Sequence, residues 1–204
     1  MSLSNVLYSK KGKRETLYIV LDDNPQNPRQ DDNLGIMVCR HREYLLGDEM
    51  AKYAEWYDSW QEWFEGEIVK PLGGWENIVA YFPLFLLDHS GLAINTTGFR
   101  AYDPYGFDWG QVGFIYTTRE KVCRWFNIKR VTEKTKRKVE QILLAEVKEY
   151  DKYLRNEYFG FVIKDNRGKI ISSEYGFTAI EDMLDYLSGE SKKMLQEHLN
   201  KKTA

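Results

Sequence analysis

Cysteine and histidine are scarce in this chain of 204 residues, which holds 2 cysteines and 3 histidines. Cys39 and Cys123 lie far apart along the sequence, so they do not form the framework of a small disulfide-stapled domain. No two of these residues have the CxxC or HxxxH spacing that is typical of a structural zinc site. We therefore expect a cytoplasmic protein that carries no metal and needs no cofactor.

An excess of charge of either sign is also missing. Lys and Arg number 29 against 31 Asp and Glu, which gives a formal net charge of −2. This balance excludes a globally basic nucleic-acid coat and an acidic solvating tail. The longest strongly apolar run, residues 78–87, is shorter than the about 20 residues of a membrane-spanning helix. The basic N-terminal residues are not followed by the apolar segment of an export signal. We expect no association with a membrane.

Aromatic and aliphatic residues, by contrast, are plentiful. The sequence is 43% hydrophobic and contains 6 Trp, 14 Tyr and 10 Phe, which is ample material for a packed core. The chain length suits one domain of ordinary size. We predict a basic N-terminal tail over residues 1–15 and a single globular domain over residues 16–204.

Short apolar runs bounded by turn residues predict strands over residues 16–21, 34–39, 81–87, 92–96 and 111–117. The tetrapeptide Asp88-His89-Ser90-Gly91 separates two of these runs and indicates a hairpin. A second hairpin is predicted over residues 158–173, with its turn at Asp165–Gly168.

Apolar residues at spacings of three and four predict helices over residues 48–64, 118–126, 132–156 and 178–199, the last interrupted near Gly189. The first of these carries more aromatic rings than one packed helix face needs, so some of them could contact a partner. Strands and helices do not alternate strictly. The pattern therefore predicts an α+β fold with a mixed, largely antiparallel sheet and amphipathic helices packed against it.

Four residues near strand ends are candidates for catalysis: Cys39, His41, Asp88 and His89. A carboxylate beside an imidazole can tune a general base, and a cysteine beside a histidine can act as a nucleophile or bind zinc. The alternatives are a plain hairpin turn at Asp88 and a Cys39 buried in a core strand. Because His41 and His89 each follow an apolar strand, we expect them to approach each other at one end of the sheet.

The segment Gly98–Gly110, here called the aromatic loop, is the candidate for partner binding. Rings interleaved with charge suit an interface core with a polar rim. We expect the aromatic loop and the neighbouring segment 48–64 to form the functional surface. The alternative is that the rings fold back over the sheet. The candidate partner-binding residues are Phe99, Arg100, Tyr102, Tyr105, Phe107 and Trp109.

Two further groups of charged residues allow a functional or an ordinary interpretation. The loop carboxylates Asp22, Asp23, Asp31, Asp32, Asp103 and Asp108 could bind a hard cation, but their spacing matches no EF-hand loop and also suits solvated turns. The basic clusters in residues 10–14 and 134–138 could contact phosphate. Neighbouring glutamates make the second cluster equally typical of a solvated helix surface.

The segments DNLGIMVCRHREYLLGDE (Asp32–Glu49), LFLLDHSGLAINTTGF (Leu84–Phe99) and DWGQVGFIY (Asp108–Tyr116) resemble a family of uncharacterised proteins carried by phages and other mobile elements of Gram-positive bacteria. The resemblance extends over about residues 32–177. Family members have a shorter loop with a cysteine where this chain reads FRAYDPYGFDWG, which argues against a catalytic or metal role for the loop.

The resemblance implies an accessory protein that acts as a binding or inhibitory module, with host defence machinery as a target. A host or phage protein is then the expected partner, and a nucleotide or nucleic acid is the other class of ligand. The alternative function is a small cytoplasmic hydrolase with a His/Asp or metal-assisted site built from His41, Asp88 and His89.

Overall fold

A computed structural model describes residues 5–202 of the protein, which fall into two compact units. The terminal unit combines residues 5–26 with residues 156–202, and the central unit is Asn27–Arg155. The predicted α+β class and the largely antiparallel strand pairing are confirmed. The sequence predicts one domain over residues 16–204, and the described part of this range contributes to both units.

Within residues 5–202 the strands are β1 (Val6–Lys11), β2 (Glu15–Leu21), β3 (Ile36–Cys39), β4 (Glu49–Met50), β5 (Ile78–Asp88), β6 (Leu92–Asn95), β7 (Trp109–Thr118), β8 (Phe159–Asp165) and β9 (Ile170–Phe177). The α-helices are α1 (Trp60–Phe64), α2 (Arg119–Trp125), α3 (Glu133–Leu154) and α4 (Gly189–Lys202). None of these helices is both long enough and apolar enough to cross a membrane.

The terminal unit is a four-stranded antiparallel sheet in the order β1-β2-β8-β9. The sequence predicts a basic tail over residues 1–15, but Val6–Lys11 pair with β2, because backbone N–H and C=O groups form the ladder whatever the charge of the side chains. One face of the sheet is buried against the C-terminal segment, with Leu17, Phe161, Met183 and Leu195 in the core. The predicted hairpin between β8 and β9 is confirmed, including its turn at Asp165–Gly168.

The central unit is a five-stranded sheet in the order β4-β3-β7-β5-β6, in which only the β3–β4 pair is parallel. Helix α3 covers one face through Val139, Leu143 and Val147. An aromatic cluster that includes Trp63 and Phe114 covers the other. Because β7 runs antiparallel to both β3 and β5, the ends of β3 and β5 lie at the edge where β7 begins.

The predicted helix over residues 48–64 is wrong over most of its length. Only Trp60–Phe64 is α-helical, after strand β4 and a short 3₁₀ turn at Ala54–Trp56. The Asp48 carboxylate accepts a hydrogen bond from the Met37 amide at 2.8 Å, which holds the segment beside β3. Tyr53 is left-handed, with φ 59°, and the Ser59 hydroxyl caps α1. Apolar spacing does not reveal these local hydrogen bonds.

The helices α2 and α3 confirm the predictions over residues 118–126 and 132–156. Each begins after a threonine whose hydroxyl accepts a backbone N–H of the first turn, Thr118 for α2 and Thr132 for α3. The predicted C-terminal helix is also interrupted, as expected. A 3₁₀ segment covers Ile180–Asp185, and α4 begins only at Gly189.

Candidate functional site

An open groove of about 970 Å³ lies at the edge of the central sheet where β3 and β5 end and β7 begins. Its lining includes residues 40–42 after β3, Met50 of β4, Trp60 of α1, Asp88 of β5, and residues 107–112. The aromatic loop and the segment 48–64, which the sequence predicts to act together, therefore border the same groove.

The aromatic loop is held in one conformation by Asp103. Its carboxylate accepts hydrogen bonds from the backbone N–H groups of Tyr105 at 3.0 Å, Gly106 at 3.1 Å and Asp108 at 3.0 Å. These bonds hold the pKa of Asp103 below its ordinary value, and the bond from the Asp108 amide has the largest effect. The carboxylate is therefore ionised at neutral pH, and it orders the loop without help from a regular strand.

Trp109 is a structural part of the loop. Its indole Nε1 donates to the Asp103 carbonyl at 2.8 Å, and its ring packs edge-on against Phe85 and Phe99. The ring also lies against Gly98, which has φ 79° and where an added Cβ would be 2.6 Å from the indole. A glycine is needed there for both reasons. Phe99 and Trp109 are only partly exposed, so for these two rings the fold-back interpretation holds.

The other three rings of the loop point outward. The exposed fractions are 62% for Tyr102, 84% for Tyr105 and 84% for Phe107. Tyr105 and Phe107 contact each other, with ring centroids 5.9 Å apart. Arg100 is exposed as well. The loop thus combines a fixed backbone with exposed rings, an arrangement that can bury a large area at small entropic cost.

His89 pairs with Asp108 rather than with its neighbour Asp88. The His89 Nδ1 atom is 2.8 Å from Asp108 Oδ2, and both side chains are partly exposed. Asp88 is held beside Asp108 by a backbone hydrogen bond that continues the β5–β7 ladder, while its carboxylate accepts a hydrogen bond from the Tyr44 hydroxyl at 3.4 Å. The imidazole of His89 is therefore oriented by a carboxylate at the rim of the groove.

His41 lies at the same edge of the sheet and lines the groove. Its ring stacks on Tyr44 at a centroid distance of 4.9 Å. Sequence reasoning missed Tyr44 altogether and treated Asp108 only as a loop acid. Pairing the DHSG strand with the DWGQVGFIY strand would have identified Asp108, because Leu87 pairs with Trp109 and the next residues are then Asp88 and Asp108.

Cys39 belongs to the core and not to the groove. Its side chain is buried, and burial, assisted by the charge of Asp48, raises the pKa of the thiol to about 12. A thiol with such a pKa supplies almost no thiolate at neutral pH, so Cys39 is not suited to nucleophilic catalysis.

Among the residues that the structure describes, no three or more His, Cys, Asp or Glu side chains are arranged to hold a metal ion. No protein-family model matches the chain, and no curated protein or solved structure shows significant similarity to it.

Proposed function

We propose that this chain is a binding or inhibitory module of a phage or mobile element, and that its aromatic loop recognises a host protein. The observation that carries the proposal is the ordered loop with three exposed rings, one of which, Phe107, lines the groove. The sequence resemblance supports an origin in a phage or mobile element, and the exposed rings support recognition of a protein partner.

The groove suits a protein segment in which an apolar side chain is flanked by polar residues. Its apolar lining includes Phe107, Trp60 and Met50, which is 59% exposed. Charges of both signs line the same groove, including Arg42 and Asp88. Aromatic anchors inside a polar rim are the usual composition of an interaction hot spot.

The double variant Tyr105→Ala/Phe107→Ala tests this proposal. The tagged protein is recovered from host cells during phage infection, and the captured proteins are quantified by mass spectrometry. We expect capture of the partner to fall about a hundredfold, because two anchor rings typically contribute about 1–2 kcal/mol each. The melting temperature should stay nearly unchanged, since both rings are exposed.

Tyr186→Ala is the matched control, because Tyr186 is 66% exposed and belongs to the terminal unit. This variant should capture the partner as the unchanged protein does. Equal capture by the loop double variant would contradict the proposed mode of recognition.

A second candidate function, a small hydrolase, is favoured by the His89–Asp108 pair. With Nδ1 directed at the Asp108 carboxylate, Nε2 of His89 can accept a proton from a water molecule, and Asp108 stabilises the resulting imidazolium. The groove beside Asp108 offers room for a substrate. Such a site would act by general-base hydrolysis.

The variants His89→Gln and Asp108→Asn test the hydrolase. Turnover of fluorogenic ester and phosphodiester substrates by the purified protein should fall about a hundredfold or more in His89→Gln, the usual contribution of a general base. The variant His198→Gln, in the terminal unit, should keep the full rate. If His89→Gln hydrolyses these substrates as fast as His198→Gln does, the pair is not catalytic.

A further inference from the structure

The terminal unit carries a concentration of positive charge at one end of its sheet, here called the basic end. Two turns form it, residues 12–14 between β1 and β2 and residues 166–169 between β8 and β9. They lie together because β2 and β8 are antiparallel neighbours, with Glu15 opposite Asp165. The Asn166 side-chain amide donates to the Lys13 carbonyl at 3.0 Å and joins the two turns.

Six basic side chains belong to these turns and the adjoining strand ends: Lys11, Lys13, Arg14, Lys164, Arg167 and Lys169. Five of them are exposed, and Lys164 is partly exposed. Across residues 5–202, none of the six forms an ion pair within 4.0 Å. The basic end therefore has cations that are not held in close ion pairs and that can meet an anion.

The carboxylates at the basic end are engaged by backbone N–H groups instead. Asp165 accepts from the amides of the turn that it begins, at 2.8 and 2.9 Å. Glu190 accepts from the amide of Lys13 at 2.7 Å and that of Arg14 at 3.1 Å, which lowers the pKa of Glu190. Glu15 accepts from the Ser191 amide at 2.9 Å. These bonds fix the turns. The charges of Lys13 and Arg14 also act on Glu190, after the larger effect of their backbone amides, so this carboxylate partly offsets those two cations.

A small groove of about 390 Å³ opens beside these turns. Its lining includes Lys11, Thr16, Tyr18, Lys164 and Asn166. Tyr18 is partly exposed, and the Lys164 ammonium lies 5.4 Å from the centre of its ring. The carboxylate of Asp165 also lines the groove, where it accepts hydrogen bonds from the turn amides. An aromatic ring among cations, hydroxyls and an amide offers stacking to a base and charge to its phosphates.

We infer that the basic end binds single-stranded nucleic acid, with a base on Tyr18 and the backbone phosphates on the surrounding lysines and arginines. The groove is large enough to admit a base. The cations lie on two adjacent turns, which suits a short stretch of flexible backbone. This ligand differs in class and in binding surface from the host protein proposed for the aromatic loop.

Fluorescence anisotropy of the full chain with labelled 12-nucleotide single strands of DNA and RNA tests this inference. The triple variant Lys11→Gln/Lys13→Gln/Lys169→Gln should bind about tenfold or more weakly at low salt. Its slope of log K against log salt should fall by about two, because each lost phosphate contact on a single strand contributes about 0.7.

The matched control is Lys134→Gln/Lys136→Gln/Arg137→Gln, which removes three exposed charges from α3 and gives the same net charge. This control should retain both the affinity and the salt slope. Equal weakening by the two triple variants would overturn the inference, because binding would then follow net charge alone. Binding to anionic lipid vesicles with no binding to either oligonucleotide would overturn it too.

Tyr18 separates stacking from plain electrostatic attraction. Tyr18→Phe should bind as the unchanged protein does, whereas Tyr18→Leu should bind about tenfold more weakly with its salt slope preserved, as expected for the loss of one stacked base. If Tyr18→Leu also binds normally, the strand does not occupy the groove, and the assignment of this site is wrong.

Discussion

The substitution Gly113→Ala is expected to destabilise the central unit by about 3 kcal/mol or more, the upper range for an overpacked site. A Cβ at this position would lie 1.9 Å from the Val38 carbonyl oxygen and 2.9 Å from the Cys39 Cα atom. Both obstacles are backbone atoms of the paired strand β3, so no side chain can move aside. The β3–β7 pairing would have to separate, and with it the edge that forms the groove.

Urea denaturation followed by tryptophan fluorescence measures this effect, because all 6 tryptophans lie in Asn27–Arg155. Gly110→Ala is the control in the same strand, since an added Cβ there meets no atom within 4 Å. It should change the free energy of unfolding by less than about 1 kcal/mol. If the two variants unfold at the same urea concentration, the close approach of β3 to Gly113 is not present in solution.

Arg29→Met should cost about 3–5 kcal/mol, the range for breaking a buried ion pair by removing one partner. The Arg29 side chain is 2% exposed, and its guanidinium contacts Asp48 at 2.6 Å and Glu146 at 3.0 Å. Burial by itself would lower the pKa of Arg29. The hydrogen bonds to Asp48 and Glu146 and their charges outweigh this effect, so the pKa of Arg29 is raised and the cation is retained. Methionine would leave two carboxylates without their counterion.

The same denaturation experiment measures this loss. Arg124→Met serves as the control, because the Arg124 side chain is 76% exposed in its ion pair with Glu120. An exposed pair of this kind contributes at most about 0.5 kcal/mol. A comparable loss of stability in both variants would show that the buried network around Arg29 does not hold the central unit together.

Local signals explain which parts of the fold could be predicted. The α+β class, the helix α3 and the β8–β9 hairpin depend on apolar periodicity and on turn residues such as Gly168, which are visible in the sequence. The segment 48–64 does not form the predicted helix over most of its length, because the Asp48 carboxylate at its start bonds to Arg29 and to the Met37 amide. Contacts between residues distant in sequence override a local pattern, and one sequence does not reveal them.

In the candidate site, too, local sequence signals indicate some features, whereas others depend on contacts between residues distant in sequence. Aromatic residues and glycines in the sequence indicate the aromatic loop as a candidate, and the strand ends indicate His41, Asp88 and His89. The pairing of His89 with Asp108 required the register of β5 against β7, including its irregularity between Leu84 and Phe85. Likewise, the choice between exposed rings, such as Phe107, and packed rings, such as Trp109, depends on the turn organised by Asp103.

The most direct test of partner recognition by the aromatic loop is site-specific photocrosslinking during phage infection. A photoreactive phenylalanine analogue is placed at position 107, and in a second protein at position 186, where the native residues are 84% and 66% exposed. Recognition through the loop predicts one strong crosslinked protein from position 107 and none of it from position 186. Crosslinking to that protein from position 186 but not from position 107 would contradict the proposal.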